Sequence, residues 1–311
     1  MNDDLPYMDS NVIDLSLLSS SSMVDSAEEM RKLKSALVSW GCIQLVNHGM
    51  SIEFLDEIRK ISKEFFELPL EEKEKYSKTS TNPDGYGTDY PNNTYPISYR
   101  LFLKIYPENQ RSLERWPENP QRFREVLNEY TMKVQKIHDL FAQAMAKSLD
   151  LEENTFLNGY GVHSEMILRI NYYPPFPLVD RARVMSRHSD ASALTFLLKD
   201  RKVEALEVLQ DDKWFKVPII PHAIMVIIGD QIEMMSNGIY KSVEHRIRSN
   251  PEKARISLAL FCSPDLEKEV GPIKELVTND RPPLYRNVTR YKDSFEKYYI
   301  QGLRPISVVK I

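Results

Sequence analysis

The chain is poor in cysteine, lacks long hydrophobic runs and carries no excess of positive charge. Its two cysteines, Cys42 and Cys262, stand far apart in apolar surroundings, which predicts buried free thiols in a reducing compartment. The longest apolar run, residues 223–228, is too short to cross a bilayer, and the acidic start does not resemble a secretory signal. A balance of 41 Lys and Arg against 45 Asp and Glu argues against nucleic-acid binding. These absences predict a cytoplasmic protein whose partners are neither membranes nor nucleic acids.

The first half of the chain has the periodicity of helices. Apolar residues recur at helical spacing over residues 30–40, 54–65 and 123–149, and potential N-caps, Asp25, Ser26 and Ser51, precede the first two segments. A short apolar strand is expected over residues 41–49, and a long loop, usually a functional feature, over residues 79–98. His138, within the third helical segment, is predicted to be partly exposed. We therefore predict a helical and mixed N-terminal region over residues 1–155.

Beyond residue 160 the pattern changes to short strands. Runs of β-branched and aromatic residues are set off by Pro, Gly, Asp and Asn, and the sequences at 210–213 and 236–238 suggest hairpin turns. Many short, regularly spaced strands favour a closed sandwich or barrel, of which the jelly roll is one form. The expected fold is α+β: a double-stranded β-helix (jelly-roll) core over residues 160–265, with an N-terminal helical region. A C-terminal helix within residues 266–311 is expected to pack on that core.

Polar residues spaced two apart are the most informative feature of the strand-rich half. They are Asn171/Tyr173, His188/Asp190 and Arg255/Ser257, with His245 standing by itself. In a strand, residues i and i+2 point to the same face, so each pair would place two polar side chains in one space. Two histidines and one carboxylate form the ligand type that leaves open positions on a non-haem ferrous ion. Taken alone, a His-x-Asp pair is more often a pair of surface residues, and a single histidine such as His245 is more often a hydrogen-bonded strand residue. The presence of the other polar pairs favours a metal site.

Arg255 begins an apolar strand, and an unpaired guanidinium buried in a core costs several kcal/mol. A bidentate carboxylate partner would offset that cost, and Ser257 on the same face would add a hydroxyl donor. Tyr173 could add another donor, or could be a core aromatic whose hydroxyl meets the backbone. The pattern therefore favours a carboxylate-bearing co-substrate beside the metal.

These residues lie within ordered motifs that resemble the plant-type 2-oxoglutarate- and Fe(II)-dependent dioxygenases. The motifs run over nearly the whole chain. They are WGCIQLVNHGM, FFELPLEEKEKY, DGYGTD, NYYPP, HSD, MSNGIYKSVEHR and the RxS motif of residues 255–257. The resemblance implies that His188, Asp190 and His245 are catalytic residues that bind Fe(II). It further implies an oxidoreductase of plant specialised metabolism.

The same resemblance implies a co-substrate site. Arg255 and Ser257 would bind the distal carboxylate of 2-oxoglutarate, and Tyr173, with Asn171 nearby, would support it. The co-substrates would be 2-oxoglutarate and O2, with ascorbate as reductant. Decarboxylation of 2-oxoglutarate to succinate and CO2 would drive hydroxylation, O-demethylation, desaturation or oxidative ring closure of the substrate.

Departures from the family pattern concern the substrate pocket. Residues 95–99 stand where relatives often carry an LDWxD-like motif, and residues 176–180, followed by two arginines, replace the usual CPxPDLVLG stretch. The predicted pocket residues are Tyr95, Tyr99, Phe102, Leu103 and Phe261. A leader that many relatives carry at the N-terminus is missing, so a more open pocket is expected. The expected substrate is a largely apolar, aromatic small molecule such as a lignan, alkaloid or flavonoid.

Two alternatives stay open at this point. A gibberellin or auxin oxidase would act on a carboxylate-bearing hormone and would want a further basic residue in the pocket, for which Arg100 is the candidate. A jelly roll that binds or condenses a ligand without oxygen chemistry is a possibility of another class, although it would not need the carboxylate clamp of Arg255 and Ser257. The partner in each case is a small molecule, and the chain is expected to be a monomer.

Overall fold

The structure is a computed structural model that describes residues 5–19, 22–88, 98–175, 183–248, 250–300 and 304–311. In these ranges the strands are β1 (Val12–Asp14), β2 (Cys42–Val46), β3 (Gly85–Gly87), β4 (Tyr99–Tyr106), β5 (Glu165–Tyr173), β6 (Arg183–His188), β7 (Leu194–Leu198), β8 (Leu206–Gln210), β9 (Lys213–Lys216), β10 (Ile224–Ile228), β11 (His245–Arg248) and β12 (Arg255–Ser263). The α-helices are α1 (Leu15–Leu18), α2 (Met23–Ser39), α3 (Ile52–Glu67), α4 (Leu70–Glu74), α5 (Phe123–Ser148), α6 (Thr155–Tyr160), α7 (Asp230–Met235) and α8 (Tyr291–Ile300).

Two β-sheets pack face to face. The larger sheet has the strand order β1-β2-β10-β7-β12-β5-β4-β3, and the smaller has the order β6-β11-β8-β9. A buried cluster between them combines Leu197 and Ala259 of the larger sheet with Leu206, Val208 and Ile247 of the smaller. This arrangement is the predicted jelly-roll core. We call the face of the larger sheet that meets the smaller sheet the inner face, and the opposite one the outer face.

The helices cover the outer face of the larger sheet. Alternation along β12 shows how the two faces differ: Leu258 and Leu260 belong to the large core that includes Phe123 and Tyr130 of α5, whereas Ala259 belongs to the cluster between the sheets. Helix α5 also packs against α2 and α3, which closes this core from outside. Because helices cover the outer face, a site for a small molecule is expected on the inner face, at the mouth between the two sheets.

Several local predictions are confirmed by the observed elements. Ser51 caps α3, where its Oγ accepts a hydrogen bond from the Phe54 amide at 3.2 Å. The turn between β8 and β9 is a hairpin in which Asp211 and Asp212 both have positive φ, the conformation that tight two-residue hairpin turns require. The C-terminal region contains α8 as expected. Residues 89–97, including Tyr95, lie outside the described residues, as do residues 176–182.

Three local predictions are wrong. Helix α2 begins before Asp25 and Ser26, because Ser22 accepts the capping hydrogen bond from the Asp25 amide. The sequence around Asn237 ends α7 and does not form a hairpin. His138 is 3 % exposed and packs edge-on against Tyr160, so it is a core residue. The start of α2 is decided locally, by an earlier serine cap, whereas the burial of His138 is decided by tertiary packing.

Candidate metal and co-substrate site

Two strands of the smaller sheet bring the two histidines together. His188 is the last residue of β6 and His245 the first of β11, and the antiparallel register pairs these two residues directly. Their ring centroids lie 4.2 Å apart. Residues 57 positions apart in the sequence thus meet because of strand pairing, a long-range event that no local pattern encodes.

Asp190 reaches the same point from a turn. Strand β6 ends at His188, so the expectation that His188 and Asp190 share a strand face is wrong. The Asp190 backbone carbonyl accepts a hydrogen bond at 2.8 Å from the amide of Asp230, the first residue of α7. The turn is therefore anchored to the helix behind it, and this anchor directs the Asp190 carboxylate toward the histidines.

The three side chains have the geometry of a metal site. Asp190 Oδ1 lies 3.8 Å from His188 Nε2 and 3.7 Å from His245 Nε2, and one ligand atom from each residue lies within 4.8 Å of the others. Nitrogen and oxygen ligands bind such metals at about 2.0–2.2 Å, so ligands on one ion lie roughly 3–4 Å apart. The donor set, two imidazoles and one carboxylate, suits a non-haem ferrous ion.

Neighbouring groups hold two of these ligands in position. His245 Nδ1 lies 3.2 Å from the Val243 carbonyl oxygen, so donation to that oxygen leaves Nε2 as the free lone pair that a metal needs. Thr195 Oγ1 donates to Asp190 Oδ2 at 2.6 Å, which leaves Oδ1 facing the histidines. Sequence analysis missed Thr195; its signal is a hydroxyl in an otherwise apolar strand.

A buried polar cluster supports the site from behind. Asp230 accepts hydrogen bonds from Ser242 Oγ at 2.7 Å and from the Tyr291 hydroxyl at 2.6 Å. Burial raises the pKa of Asp230 to about 6, and these hydrogen bonds act in the opposite direction. The cluster joins α7, the segment that leads into β11 and the C-terminal helix α8, so it links the Asp190 turn to the His245 strand.

Arg255 and its neighbours lie together on the inner face of the larger sheet. The register pairs Arg255 with Tyr173 and Ser257 with Asn171 across β12 and β5, so all four share one face. Arg255 is 3 % exposed, its NH1 donates to Ser257 Oγ at 3.2 Å, and its guanidinium lies 5.1 Å from the centre of the Tyr173 ring. The two strand pairs read from the sequence therefore converge as expected.

The Arg255 guanidinium fits a carboxylate ligand. Among the described residues no carboxylate forms an ion pair with it, and its Nε has no hydrogen-bond partner. A buried cation in that condition is costly unless an anion meets it. Asn171 is engaged differently, because its Oδ1 accepts a hydrogen bond from Arg169 Nε at 2.6 Å. A direct role of Asn171 toward the co-substrate stays a prediction.

The predicted pocket residues divide between the two faces. Phe102 pairs with Arg169 on the inner face, and Phe261 packs against the cluster between the sheets. Leu103, fully buried in the outer core, and Tyr99, stacked on Tyr86 with ring centroids 6.1 Å apart, belong to the outer face. These two do not line the space in front of the triad, because adjacent residues of a strand point to opposite sides.

A second buried cation, Lys199, was also missed. Lys199 follows β7, is 6 % exposed, and its Nζ donates to Gln44 Oε1 and to the Pro218 carbonyl, both at 2.7 Å. Burial, with the positive charge of Arg255 as a smaller cause, lowers the pKa of Lys199 to about 7. The sequence signal is a charged residue at the end of an apolar strand, the same signal that Arg255 shows.

Comparison with known proteins gives the family of this chain. Residues 164–264 match the 2OG-Fe(II) oxygenase superfamily, and residues 11–122 match the N-terminal region of the non-haem dioxygenase in morphine synthesis. Jasmonate-induced oxygenase 4 of Arabidopsis thaliana is 37 % identical over 281 residues, which are 89 % of this chain and 80 % of the relative. The chain belongs to the 2OG-Fe(II) oxygenase superfamily. It is an oxidoreductase that uses 2-oxoglutarate and iron.

Two further comparisons agree with this oxygenase assignment. Flavonol synthase 1 of Crocosmia x crocosmiiflora is 41 % identical over 258 residues, covering 82 % of this chain and 77 % of the relative. The crystal structure of JOX2 in complex with 2OG, Fe and JA superposes with a TM-score of 0.86 at 33 % identity, covering 99 % of this chain and 90 % of that one. Family membership excludes the alternative of a non-oxidative jelly roll.

In the part of the oxygenase that the structure describes, no helix is both long and apolar enough to cross a bilayer.

Proposed function

We propose that this oxygenase oxidises a largely apolar, aromatic small molecule of plant specialised metabolism. In this proposal His188, Asp190 and His245 hold Fe(II), and Arg255 with Ser257 binds the distal carboxylate of 2-oxoglutarate. The observation that carries the proposal is the triad, whose Nε2–Oδ1 distances are 3.7 and 3.8 Å. A buried guanidinium without a carboxylate partner among the described residues supports it.

Each protein group has a defined task. Asp190 and the two imidazoles fix the ion, while Thr195 and the Val243 carbonyl fix the orientation of two of these ligands. Arg255 neutralises and orients the co-substrate through its fork of donors. When bound, Fe(II) with 2-oxoglutarate would activate O2, the oxidant, for C–H oxidation, with succinate and CO2 as co-products. The apolar walls position the substrate and exclude water.

The aromatic part of the substrate is inferred from the inner face. Phe102 and Phe261 offer ring surfaces on that face, and aromatic groups pack favourably against such rings. Relatives named flavonol synthase and leucoanthocyanidin dioxygenase have the same family architecture, the latter from Malus domestica at 38 % identity over 281 residues. A flavonoid-like phenolic is therefore our first candidate.

A carboxylate-bearing substrate is the second candidate, because Arg100 pairs with Asn171 on the inner face. Its guanidinium lies 5.1 Å from the centre of the Phe102 ring. Relatives include jasmonate-induced oxygenases, and the JOX2 structure contains JA. A gibberellin or auxin is not favoured over these classes.

A succinate-release assay tests the proposal and separates the two candidates. The enzyme is supplied with Fe(II), ascorbate, 2-oxoglutarate and O2, together with either a flavonoid panel or jasmonic acid, and products are read by mass. We expect coupled succinate and a gain of one oxygen, a loss of CH2 or a loss of two hydrogens with a flavonoid. Turnover of jasmonic acid alone would support the second candidate, and no coupled turnover with either class would reject both.

A matched pair of variants sharpens this test. Arg100→Gln removes the inner-face cation, whereas Arg31→Gln removes an exposed arginine of α2. If the substrate is a neutral phenolic, Arg100→Gln changes its KM little; if it is a carboxylate, KM rises by roughly tenfold or more, as expected for a lost charge-assisted hydrogen bond. Arg31→Gln should match the wild type with every substrate.

We also propose that the oxygenase acts as a monomer in the cytoplasm. Both cysteines are buried and free, which suits a reducing compartment. Light scattering coupled to gel filtration tests the oligomeric state, and a dimer mass would reject that part of the proposal.

A further inference from the structure

A cleft lined mainly by cationic residues lies where α3 packs beside β5 and β12. Its volume is about 510 Å³, a size that accommodates a small molecule. The lining comes from α3, from the segment between β7 and β8, and from the start of β12 with the residues before it. Besides Arg255, the cationic residues of the lining are Arg59, Lys60, Lys63, Arg201, Lys202 and Lys253. The chain as a whole has a net charge of −4, so folding concentrates positive charge here.

The cleft lies on the other side of the larger sheet from the carboxylate clamp. Its apolar lining includes Tyr172 and Ile256, which pair across β5 and β12 and pack on the outer core. Ser257 and Tyr173, one residue further along each strand, point to the inner face. Arg255 contributes to the lining as the first residue of β12, but its guanidinium lies over the Tyr173 ring. A ligand in the cleft would therefore be separate from the co-substrate.

Two arginines of the cleft are held in place by one carboxylate. Asp56 pairs with Arg59 NH1 at 3.0 Å and also with Arg201 NH1. Arg59 Nε donates to the Lys199 carbonyl at 3.0 Å, and its NH2 has no hydrogen bond to the described residues. The Arg59 guanidinium is thus fixed by two of its nitrogens, and the third is available to a ligand.

The lysines of the cleft are weakly paired or unpaired. Lys60 and Lys63 each contact a glutamate one turn further along α3, at 3.7 and 3.4 Å. Such exposed pairs contribute little and exchange readily with other partners. Lys202 and Lys253 are exposed and form no ion pair with the residues that the structure describes. These ammonium groups are therefore available to an anion.

The carboxylates around the cleft do not balance its cations. Among the described residues of the lining, Asp200 is the one carboxylate. It accepts hydrogen bonds from the backbone amides of Lys202, Val203 and Ile256, at 2.7, 3.0 and 3.0 Å, so its task is to brace the chain. With Asp56 and the two glutamates of α3, four carboxylates face seven lining cations. An excess of positive charge remains for an anionic ligand.

We propose that this cleft binds a small organic phosphate, at a site separate from the iron and co-substrate site. Phosphate oxygens accept hydrogen bonds from the guanidinium fork of arginine and from lysine ammonium groups. Tyr172 offers a surface for the organic part of the ligand. Its ring is half-buried, lines the cleft and stacks on Phe66 with the ring centroids 5.2 Å apart. An aromatic body that carries phosphate groups matches both features.

Calorimetry with adenosine 3′,5′-bisphosphate tests the site. The probe carries two phosphates on an aromatic body, and it is titrated into the full chain saturated with Mn(II) and 2-oxoglutarate under argon. We expect saturable binding of one molecule per chain, and no binding of adenosine, which lacks the phosphates. The absence of saturable binding of the bisphosphate, or equal binding of adenosine, would overturn the proposal.

Three variants locate the bound probe. Lys202→Gln and Lys253→Gln each remove one unpaired cation from the cleft, and each should raise the Kd of the bisphosphate roughly tenfold, as expected for a lost hydrogen bond between charged groups. Lys34→Gln makes the same change at an exposed lysine of α2 outside the cleft, and should match the wild type. An unchanged Kd in both cleft variants would place the probe elsewhere and reject the site.

A competition experiment separates the cleft from the co-substrate site. The titration is repeated without 2-oxoglutarate, and the Kd of the bisphosphate should be unchanged because the two ligands occupy opposite sides of the sheet. A Kd that falls severalfold when 2-oxoglutarate is left out would show that both ligands compete for one site. That result would reject the separate cleft site and leave the proposed function standing.

Discussion

Thr195→Val removes the hydroxyl that donates to Asp190 in the proposed metal site and keeps the shape of the side chain. The Thr195 hydroxyl donates to Asp190 Oδ2 at 2.6 Å, and a second contact joins it to Ser192 Oγ at 3.0 Å. Valine replaces the hydroxyl by a methyl group of similar size, so the core packing around this strand is kept. Thr195 is 2 % exposed, so water does not take the place of the lost donor.

The expected magnitude follows from the charge on Asp190. A hydrogen bond to a charged group contributes about 1.5–3 kcal/mol. Since about 1.4 kcal/mol corresponds to a factor of ten, the metal Kd should rise roughly 10–100-fold. That range agrees with the effect of about 10–100-fold typical of groups that orient metal ligands.

Titration with Mn(II), followed by the electron paramagnetic resonance signal of the free ion, measures the metal Kd without turnover. Thr195→Ser keeps the donor and should stay close to the wild type, and thermal unfolding checks that Thr195→Val is folded. Equal Mn(II) affinity in Thr195→Val and the wild type would show that the hydroxyl does not orient Asp190 toward a metal, and would refute the reasoning.

Three other predictions test the co-substrate clamp, the face assignment and a buried ion pair. Arg255→Lys should raise the KM for 2-oxoglutarate by roughly tenfold or more, because an ammonium cannot reproduce the fork of the guanidinium; an unchanged KM would remove Arg255 from the site. Leu103→Ala should cost about 2–5 kcal/mol in urea unfolding with an unchanged substrate KM, whereas Phe102→Ala should raise that KM; the reverse pattern would contradict the assigned faces. Glu207→Ala should lower the free energy of unfolding by about 3–5 kcal/mol, since it removes a buried carboxylate that pairs with Arg246 at 2.6 Å and with Arg248 at 2.5 Å; a loss below about 1 kcal/mol would show that these pairs contribute little.

Strand periodicity was a sound guide wherever the residues really lie in strands. Arg255 and Ser257 on β12 share the inner face with Tyr173 on β5, as spacing by two requires. The same rule placed His188 and Asp190 close together, as they are, but for the wrong reason. Strand β6 ends at His188, and Asp190 lies in a turn that is hydrogen-bonded to Asp230. Spacing alone does not distinguish a strand from a turn of the same length.

Which face of a strand meets the site was beyond the sequence. Phe102 and Leu103 are adjacent and both apolar, and only the pairing of β4 with β5 assigns Phe102 to the inner face and Leu103 to the outer core. A shift of register by one residue would exchange them. The β4 sequence does alternate, with Leu101, Leu103 and Ile105 buried in the outer core, but this alternation does not tell which of its two faces meets the site.

The amino-acid sequence by itself determined the family and the jelly-roll class, and it supplied the residues that we propose for the iron and carboxylate sites, because these depend on residue identity and short spacing. The tertiary structure decided what depends on long-range pairing. It brought His245 to His188, placed Thr195 behind Asp190, and buried Lys199 against Gln44 of β2. These contacts join residues from separate parts of the chain, so they stabilise the protein only once the two sheets have formed and packed together.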